Sequence, residues 1–213
     1  MNGEIRVVDD VPAAFAALVA ERVPASIALS GGSTAEHCYE QLSSLAIDWS
    51  GVDVYLVDER FVPVTDPDSN EGMARRVLLD AAAPRAIHSM SGAGTTAEAA
   101  AAAYDALVRA APPIGLVHLG LGPDGHTASL FPGTAVLDER ERWVVTNEDA
   151  LHPHPRLTFT FPAIAASELV VVTVAGAEKA DAFAKIREGA DLPAGRVTAP
   201  EVIWLVDPAA AGS

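Results

Sequence analysis

The chain has 213 residues, half of them hydrophobic and one in five charged. Its mean hydropathy is +0.23, which excludes disorder as the main state and allows one domain with a full-sized core. Fourteen Lys and Arg against twenty-nine Asp and Glu give a net charge of −15. A field of that sign repels nucleic acid and acidic lipid, so neither is an expected partner. An anionic metabolite would be repelled as well, unless the few cations gather at one place. Only two are lysines, Lys179 and Lys185, and twelve are arginines.

The single cysteine, Cys38, can form no internal disulfide, which suits a reducing compartment. The first residues lack the basic start and apolar run of a signal peptide, and no apolar stretch is long enough for a membrane span. The expected location is the cytoplasm, and the expected state a monomer.

In chain order, helical patterning predicts Val11–Arg22, followed by a short strand at Ala25–Leu29 and a helix at Thr34–Leu45. A strand at Val52–Val57 and a helix at Glu71–Asp80 come next, with Ser69-Asn70 placed to cap that helix. The Ala-rich helix Ala97–Arg109 follows its own cap, Thr95-Thr96, and leads to a strand at Ile114–Leu119. Further strands are expected at Trp143–Thr146, Leu157–Phe161, Leu169–Val174 and Val202–Val206, with a helix at Glu178–Glu188. Short apolar strands interleaved with helices predict a single α/β domain over 1–213. It is a doubly wound, mainly parallel sheet with helices on both faces, a Rossmann-like three-layer sandwich. Ligands in such folds sit beyond the carboxyl ends of the strands, where three clusters fall.

The first is Ser30-Gly31-Gly32-Ser33-Thr34, running off a strand into a helix start. The glycines let backbone N–H groups face a ligand, and the helix end favours an anion. A plain Gly-Gly turn with a serine cap fits the spacing equally well. No Gly-Lys-Ser/Thr follows, so it is not a Walker loop. A nucleophile elbow at Ser30 would lack the upstream oxyanion loop.

The second cluster, Asp58-Glu-Arg-Phe-Val-Pro63, offers carboxylates and the planar donor fork of Arg60 to sugar hydroxyls or a phosphate. A local network that stiffens the loop would use the same residues. Asp66 to Asn70 reads as a turn leading into a cap.

The third, Gly120-Leu-Gly-Pro-Asp-Gly-His-Thr-Ala-Ser-Leu-Phe-Pro132, opens as G-x-G-x-x-G. However, Pro132-Gly133 interrupts the helix that a dinucleotide fold requires. What remains is Asp124-Gly125-His126. A carboxylate two residues from an imidazole can fix its tautomer, and His126 can then act as a general base. A bracing role for Asp124 and simple ligand binding by His126 remain open at this point. His118 reads as a core or sheet-end residue, and His37 and His88 stand alone. His152-Pro-His154 has too few companions for a metal site.

These clusters together resemble the 6-phosphogluconolactonase family, within the wider group that includes glucosamine-6-phosphate deaminases. The matching segments are Leu29–Thr34, Asp58–Pro63 with Ser69-Asn70, Gly120–Pro132, Arg156-Leu-Thr158, Gly176-Ala-Glu-Lys179 and Ile203-Trp-Leu-Val-Asp207. They lie in family order over nearly the whole chain. The resemblance implies hydrolysis of 6-phospho-D-glucono-1,5-lactone to 6-phosphogluconate, a step of the oxidative pentose phosphate pathway, with no metal or organic cofactor. It implies His126 as the base and Asp124 as its orienting partner. It further implies that Ser30–Thr34, Asp58, Arg60, Arg156 and Lys179 hold the phosphate and sugar. The oxyanion of the tetrahedral intermediate would fall to Arg60, Lys179 or backbone N–H groups. Deaminases follow Asp-Gly-His with an aromatic–Asn-Glu-Pro ending, whereas this chain has Ser129-Leu-Phe-Pro132. A deaminase is therefore the second reading, and a non-catalytic sugar-phosphate sensor on the same scaffold the third.

Overall fold

The structure, a computed structural model, describes residues 1–148 and 153–212. In chain order its strands are β1 (Glu4–Val7), β2 (Ser26–Leu29), β3 (Asp53–Leu56), β4 (Asp58–Arg60), β5 (Ala86–Ile87), β6 (Leu116–Gly120), β7 (Val144–Asn147), β8 (Arg156–Phe159), β9 (Leu169–Val174) and β10 (Glu201–Val206). The helices are α1 (Val11–Arg22), α2 (Ser33–Ser43), α3 (Asn70–Ala74), α4 (Asp80–Ala82), α5 (Ala97–Ala110), α6 (Phe161–Ala165), α7 (Ala180–Arg187) and α8 (Pro208–Ala211).

Seven strands form one sheet in the order β1-β10-β9-β6-β2-β3-β5, and every neighbouring pair in it is parallel. Crossover connections need cover, and all six residues of β9, Leu-Val-Val-Val-Thr-Val, are buried, which requires packing on both faces. Each fully buried Val or Leu contributes about 1.5–3 kcal/mol, so this central strand anchors the sheet. From β2 the chain winds outward through β3 to β5, and from β6 it winds the other way through β9 and β10. The direction therefore reverses between β2 and β6, and a crevice opens at their carboxyl ends.

Local chemistry sets the element ends. Asp10 accepts the Ala13 N–H at 2.9 Å and Ser69 the Gly72 N–H at 2.9 Å. Thr96 does the same for Ala99 at 3.2 Å, so the caps expected at Ser69 and Thr96 are formed. The helix expected over Glu71–Asp80 is present in three pieces, because the five residues Arg75–Leu79 wind as a π-type turn between α3 and α4. The helix expected from Glu178 starts with a 3₁₀ turn, Ala177–Lys179, before α7. Phe161 opens α6 instead of closing a strand, since Pro162 favours a first helical turn.

One part of the expected sheet is arranged differently. The strands at Trp143–Thr146 and Leu157–Phe161 do not join the parallel sheet. As β7 and β8 they form a separate antiparallel sheet with β4, in the order β4-β8-β7. Alternation cannot reveal which sheet a short apolar strand joins. Here Asp105 of α5 accepts the N–H groups of Trp143 and Val144, at 2.5 and 3.0 Å, and ties the start of β7 to that helix. Strands β4 and β5, of three and two residues, fall below the length at which periodicity is readable, and β1, Glu-Ile-Arg-Val, is a largely exposed edge strand with no apolar run to mark it.

Candidate active site

Three adjacent strands of the main sheet, β9, β6 and β2, deliver the loops 175–179, 121–132 and 30–32 to the crevice. The small sheet closes one side by presenting β4 and β8. Together they line a cavity of about 320 Å³. Every residue singled out for binding, along with His126, lies on its wall. Asp124 stands behind His126 and reaches it directly.

The loop after β2 has two glycines for two different reasons. Gly32 has φ +93° and precedes α2, a left-handed position that a Cβ would strain. Gly31 packs so close to Asn70 that a Cβ would overlap the Asn70 carboxamide. No side chain caps α2, so its first N–H groups are left facing the cavity beside Ser33 and Thr34. Ser30 behaves differently from its neighbours. It is 4% exposed, and its hydroxyl donates to the His118 carbonyl at 2.5 Å. Its side chain thus anchors the loop.

The second cluster serves both as a site and as a brace, divided between adjacent residues. Glu59 is fully buried and accepts from the N–H of Arg60 (2.8 Å), Asn70 (2.7 Å) and Glu71 (2.8 Å) and from the Ser69 hydroxyl (2.9 Å). Burial raises its pKa, and those four donors work against the rise. The brace aims Arg60 across the pocket mouth, where Nη1 donates to Asn70 Oδ1 at 2.6 Å and to the Asp68 carbonyl at 2.9 Å. Asp58 accepts from Ser129 at 2.7 Å, which ties the third loop to the small sheet.

The third loop doubles back tightly. Gly122 N–H donates to the His126 carbonyl at 2.8 Å, and Gly125 N–H to the Gly122 carbonyl at 2.9 Å. A Cβ at Gly122 would run into the His126 ring, and Gly125 holds φ +88°. This turn brings Asp124 Oδ1 to 2.5 Å from His126 Nδ1 and 3.1 Å from its backbone N–H. Burial pushes the Asp124 carboxyl up, but the amide and charge of His126 outweigh it, and its pKa falls below the usual 3.8. A carboxylate on Nδ1 fixes the tautomer and leaves Nε2 as the basic nitrogen. Phe131 meets the ring edge-on, with centroids 5.1 Å apart.

The cations sort themselves clearly. Arg6, Arg22, Arg75, Arg85, Arg109, Arg140, Arg142 and Arg196 each pair with a carboxylate. Lys185 pairs with Asp181. Arg60, Arg76, Arg156, Lys179 and Arg187 have no such partner among the described residues, and of these Arg60, Arg156 and Lys179 line the cavity. Arg156 is buried, and its Nε has no hydrogen-bond partner among the described residues. Burial, then the charge of Arg60, pushes its pKa down. Lys179 is brought in by the turn at Gly176 (φ +100°), whose N–H donates to Asp207 at 2.8 Å. Asp207, the last residue of the C-terminal matching segment, thus positions the lysine.

Asn70, Ser129, Thr173 and Glu178 also face the cavity. From its own spacing Asn70 reads as part of a cap, although Ser69-Asn70 is one of the segments that carry the family resemblance, and no spacing rule marks the other three. His37 is exposed, and His88 stacks on Tyr55 at 4.4 Å. His154 lies 3.2 Å from Asp68, and His152 is outside the described residues. Among the described residues no helix is long and apolar enough to cross a membrane.

The family described as glucosamine-6-phosphate isomerases/6-phosphogluconolactonase matches residues 4–204. A 6-phosphogluconolactonase of Synechocystis is 43% identical over 206 residues, covering 89% of this chain and 84% of its own. That of Rhizobium meliloti is 42% identical over 190 residues, covering 86% and 82%. The crystal structure of a Thermotoga maritima 6-phosphogluconolactonase superposes with a TM-score of 0.83 at 26% identity, covering 97% of this chain and all of that one. With this likeness running from β1 to β10 and through every loop of the cavity, the chain belongs to the glucosamine-6-phosphate isomerase/6-phosphogluconolactonase family.

Proposed function

We propose that this chain is a hydrolase that opens 6-phospho-D-glucono-1,5-lactone to 6-phosphogluconate, with His126 as general base. The reading is carried by one juxtaposition: His126, backed by Asp124, shares a single cavity with three cations that have no carboxylate partner among the described residues. The lactonase names of relatives at 42–43% identity over most of both chains support the same reaction.

The phosphate sits against the uncapped start of α2 and the cations Arg60, Arg156 and Lys179, where backbone N–H groups and guanidinium forks suit its oxygens. That clustering offsets the repulsion of a chain at −15. Asp58 and Glu178 offer acceptors to sugar hydroxyls. His126 Nε2 takes a proton from water as the oxygen attacks the lactone carbonyl, and Asp124 stabilises the imidazolium. The tetrahedral oxyanion then collapses, the bond to the ring oxygen breaks, and the imidazolium returns its proton to that oxygen. The ring-opened product is an acid that ionises to a carboxylate. In the oxidative pentose phosphate pathway this step follows glucose-6-phosphate oxidation.

The test generates the lactone in place by oxidising glucose 6-phosphate and subtracts spontaneous opening. Turnover well above background that is lost in His126→Ala is the expected result. Native protein at the background rate would overturn the proposal, and glucosamine 6-phosphate would then be the substrate to try.

A further inference from the structure

His118 lies in β6, between β2 and β9, and is fully buried. Its ring stacks on Phe15 with centroids 4.1 Å apart. Nδ1 is 2.9 Å from the Tyr39 hydroxyl, and Nε2 is 2.9 Å from Thr173 Oγ1. The Tyr39 oxygen accepts the Ser30 N–H at 2.8 Å and lies 3.1 Å from the Ser30 carbonyl. The Ser30 hydroxyl in turn donates to the His118 carbonyl.

Burial keeps this imidazole neutral, so it has one donor and one acceptor. The tautomer that satisfies both sides carries its proton on Nε2. That N–H donates to Thr173 Oγ1, whose proton goes to the Leu119 carbonyl at 3.4 Å, and Nδ1 accepts the Tyr39 O–H. The result is a directed chain in which donation runs from the Ser30 N–H, the first residue of the 30–34 loop, through Tyr39 of α2 and His118 of β6 to Thr173 of β9. Thr173 and Ser30 are the two ends of that chain, and both lie on the cavity wall. Apolar side chains would fill the space without the cost of burying polar groups. A satisfied network instead specifies one geometry.

We propose that His118 is a positioning residue for substrate binding: through Tyr39 it fixes Ser30, and so the direction in which residues 31–34 leave β2 toward the phosphate. This rests on the reading of that loop as the phosphate holder in lactone hydrolysis.

The experiment measures hydrolysis of 6-phosphogluconolactone and of unphosphorylated gluconolactone, together with calorimetric binding of 6-phosphogluconate and gluconate. It compares native protein with His118→Phe, His118→Gln and Tyr39→Phe. The expected result for His118→Phe and Tyr39→Phe is a KM for the phosphorylated lactone raised about tenfold, the effect of one or two lost hydrogen bonds. Their kcat should stay within about twofold of native. The unphosphorylated lactone should respond little, and His118→Gln, which keeps a donor and an acceptor, should recover much of the loss. Tyr39→Phe removes a single oxygen and decides the matter if His118→Phe does not fold. Folded variants whose KM for the two lactones is native, or changes equally, overturn the positioning role. Native protein that binds 6-phosphogluconate no better than gluconate overturns the phosphate reading itself, and this role with it.

Discussion

Arg60 and Arg156 stand directly opposite each other in the antiparallel pairing of β4 with β8. Like charges at such positions destabilise a sheet, and here the pair occurs in a chain with more than twice as many acids as bases. Arg60 has two oxygen partners, whereas Arg156 keeps a buried Nε with none among the described residues. A dianion placed between them relieves both the repulsion and the desolvation. Arg156→Met should therefore raise KM for the phosphorylated lactone by roughly 10–100-fold, the loss expected for charge-assisted hydrogen bonds. The unphosphorylated lactone should be turned over as before, and the melting temperature should hold or rise. Equal effects on the two substrates would remove Arg156 from the phosphate site.

Asp124 and His126 form the other half of the argument. His126→Ala should lower kcat by about 10²–10⁴-fold, the range for a general base, while 6-phosphogluconate still binds. Asp124→Asn should also lower kcat with little change in KM, because it disturbs the tautomer and leaves the binding groups intact. The Asp124 carboxyl is held below its usual value, so it stays ionised above about pH 4. A loss of activity on acidification in that range must then come from another group. A native kcat in the Asp124→Asn protein would show that the carboxylate only braces the loop.

Glu59 is buried off the cavity wall, yet it organises the loop that presents Arg60 and Asn70. Its carboxylate accepts three backbone N–H groups and one hydroxyl. Glu59→Gln replaces an acceptor oxygen with an NH₂ that must face a donor. The expected cost is about 1–3 kcal/mol, measured by urea unfolding, with weaker phosphate binding alongside. Unchanged stability would mean that the loop is held by other contacts.

The parallel sheet was readable because β2, β3, β6, β9 and β10 are short apolar runs separated by helices. The glycine loop and the Asp124–His126 pair were readable because each needs a local spacing. Other features had no such signature. Asn70 looked like part of a cap, and its carboxamide gains meaning only when the fold brings Gly31 and Arg60 against it. Tyr39 and Thr173 meet His118 from elements 79 and 55 residues away, which no window of sequence contains. Likewise β7 and β8 read like any strand, and their place in the small sheet follows from pairing with β4 and packing on α5, both distant in sequence.

His118 also gives the protein a pH dependence whose sign is fixed by burial. Desolvation lowers its pKa from 6.5 to about 3 in the folded state, so on acidification the unfolded chain takes up the proton first. Stability from this residue is fully present above the unfolded value and is lost as pH falls from 6.5 toward 3. Each pH unit in that window costs up to about 1.4 kcal/mol, or roughly 2 kcal/mol between pH 6.5 and pH 5. His118→Gln does not titrate, so its urea-unfolding free energy should fall by about 2 kcal/mol less than the native protein's between pH 7 and pH 5. The two carry the same carboxylates, whose contributions cancel in the comparison. Parallel pH profiles for the two proteins would show that folded His118 takes up its proton over the same pH range as in the unfolded chain, and would overturn the depressed value.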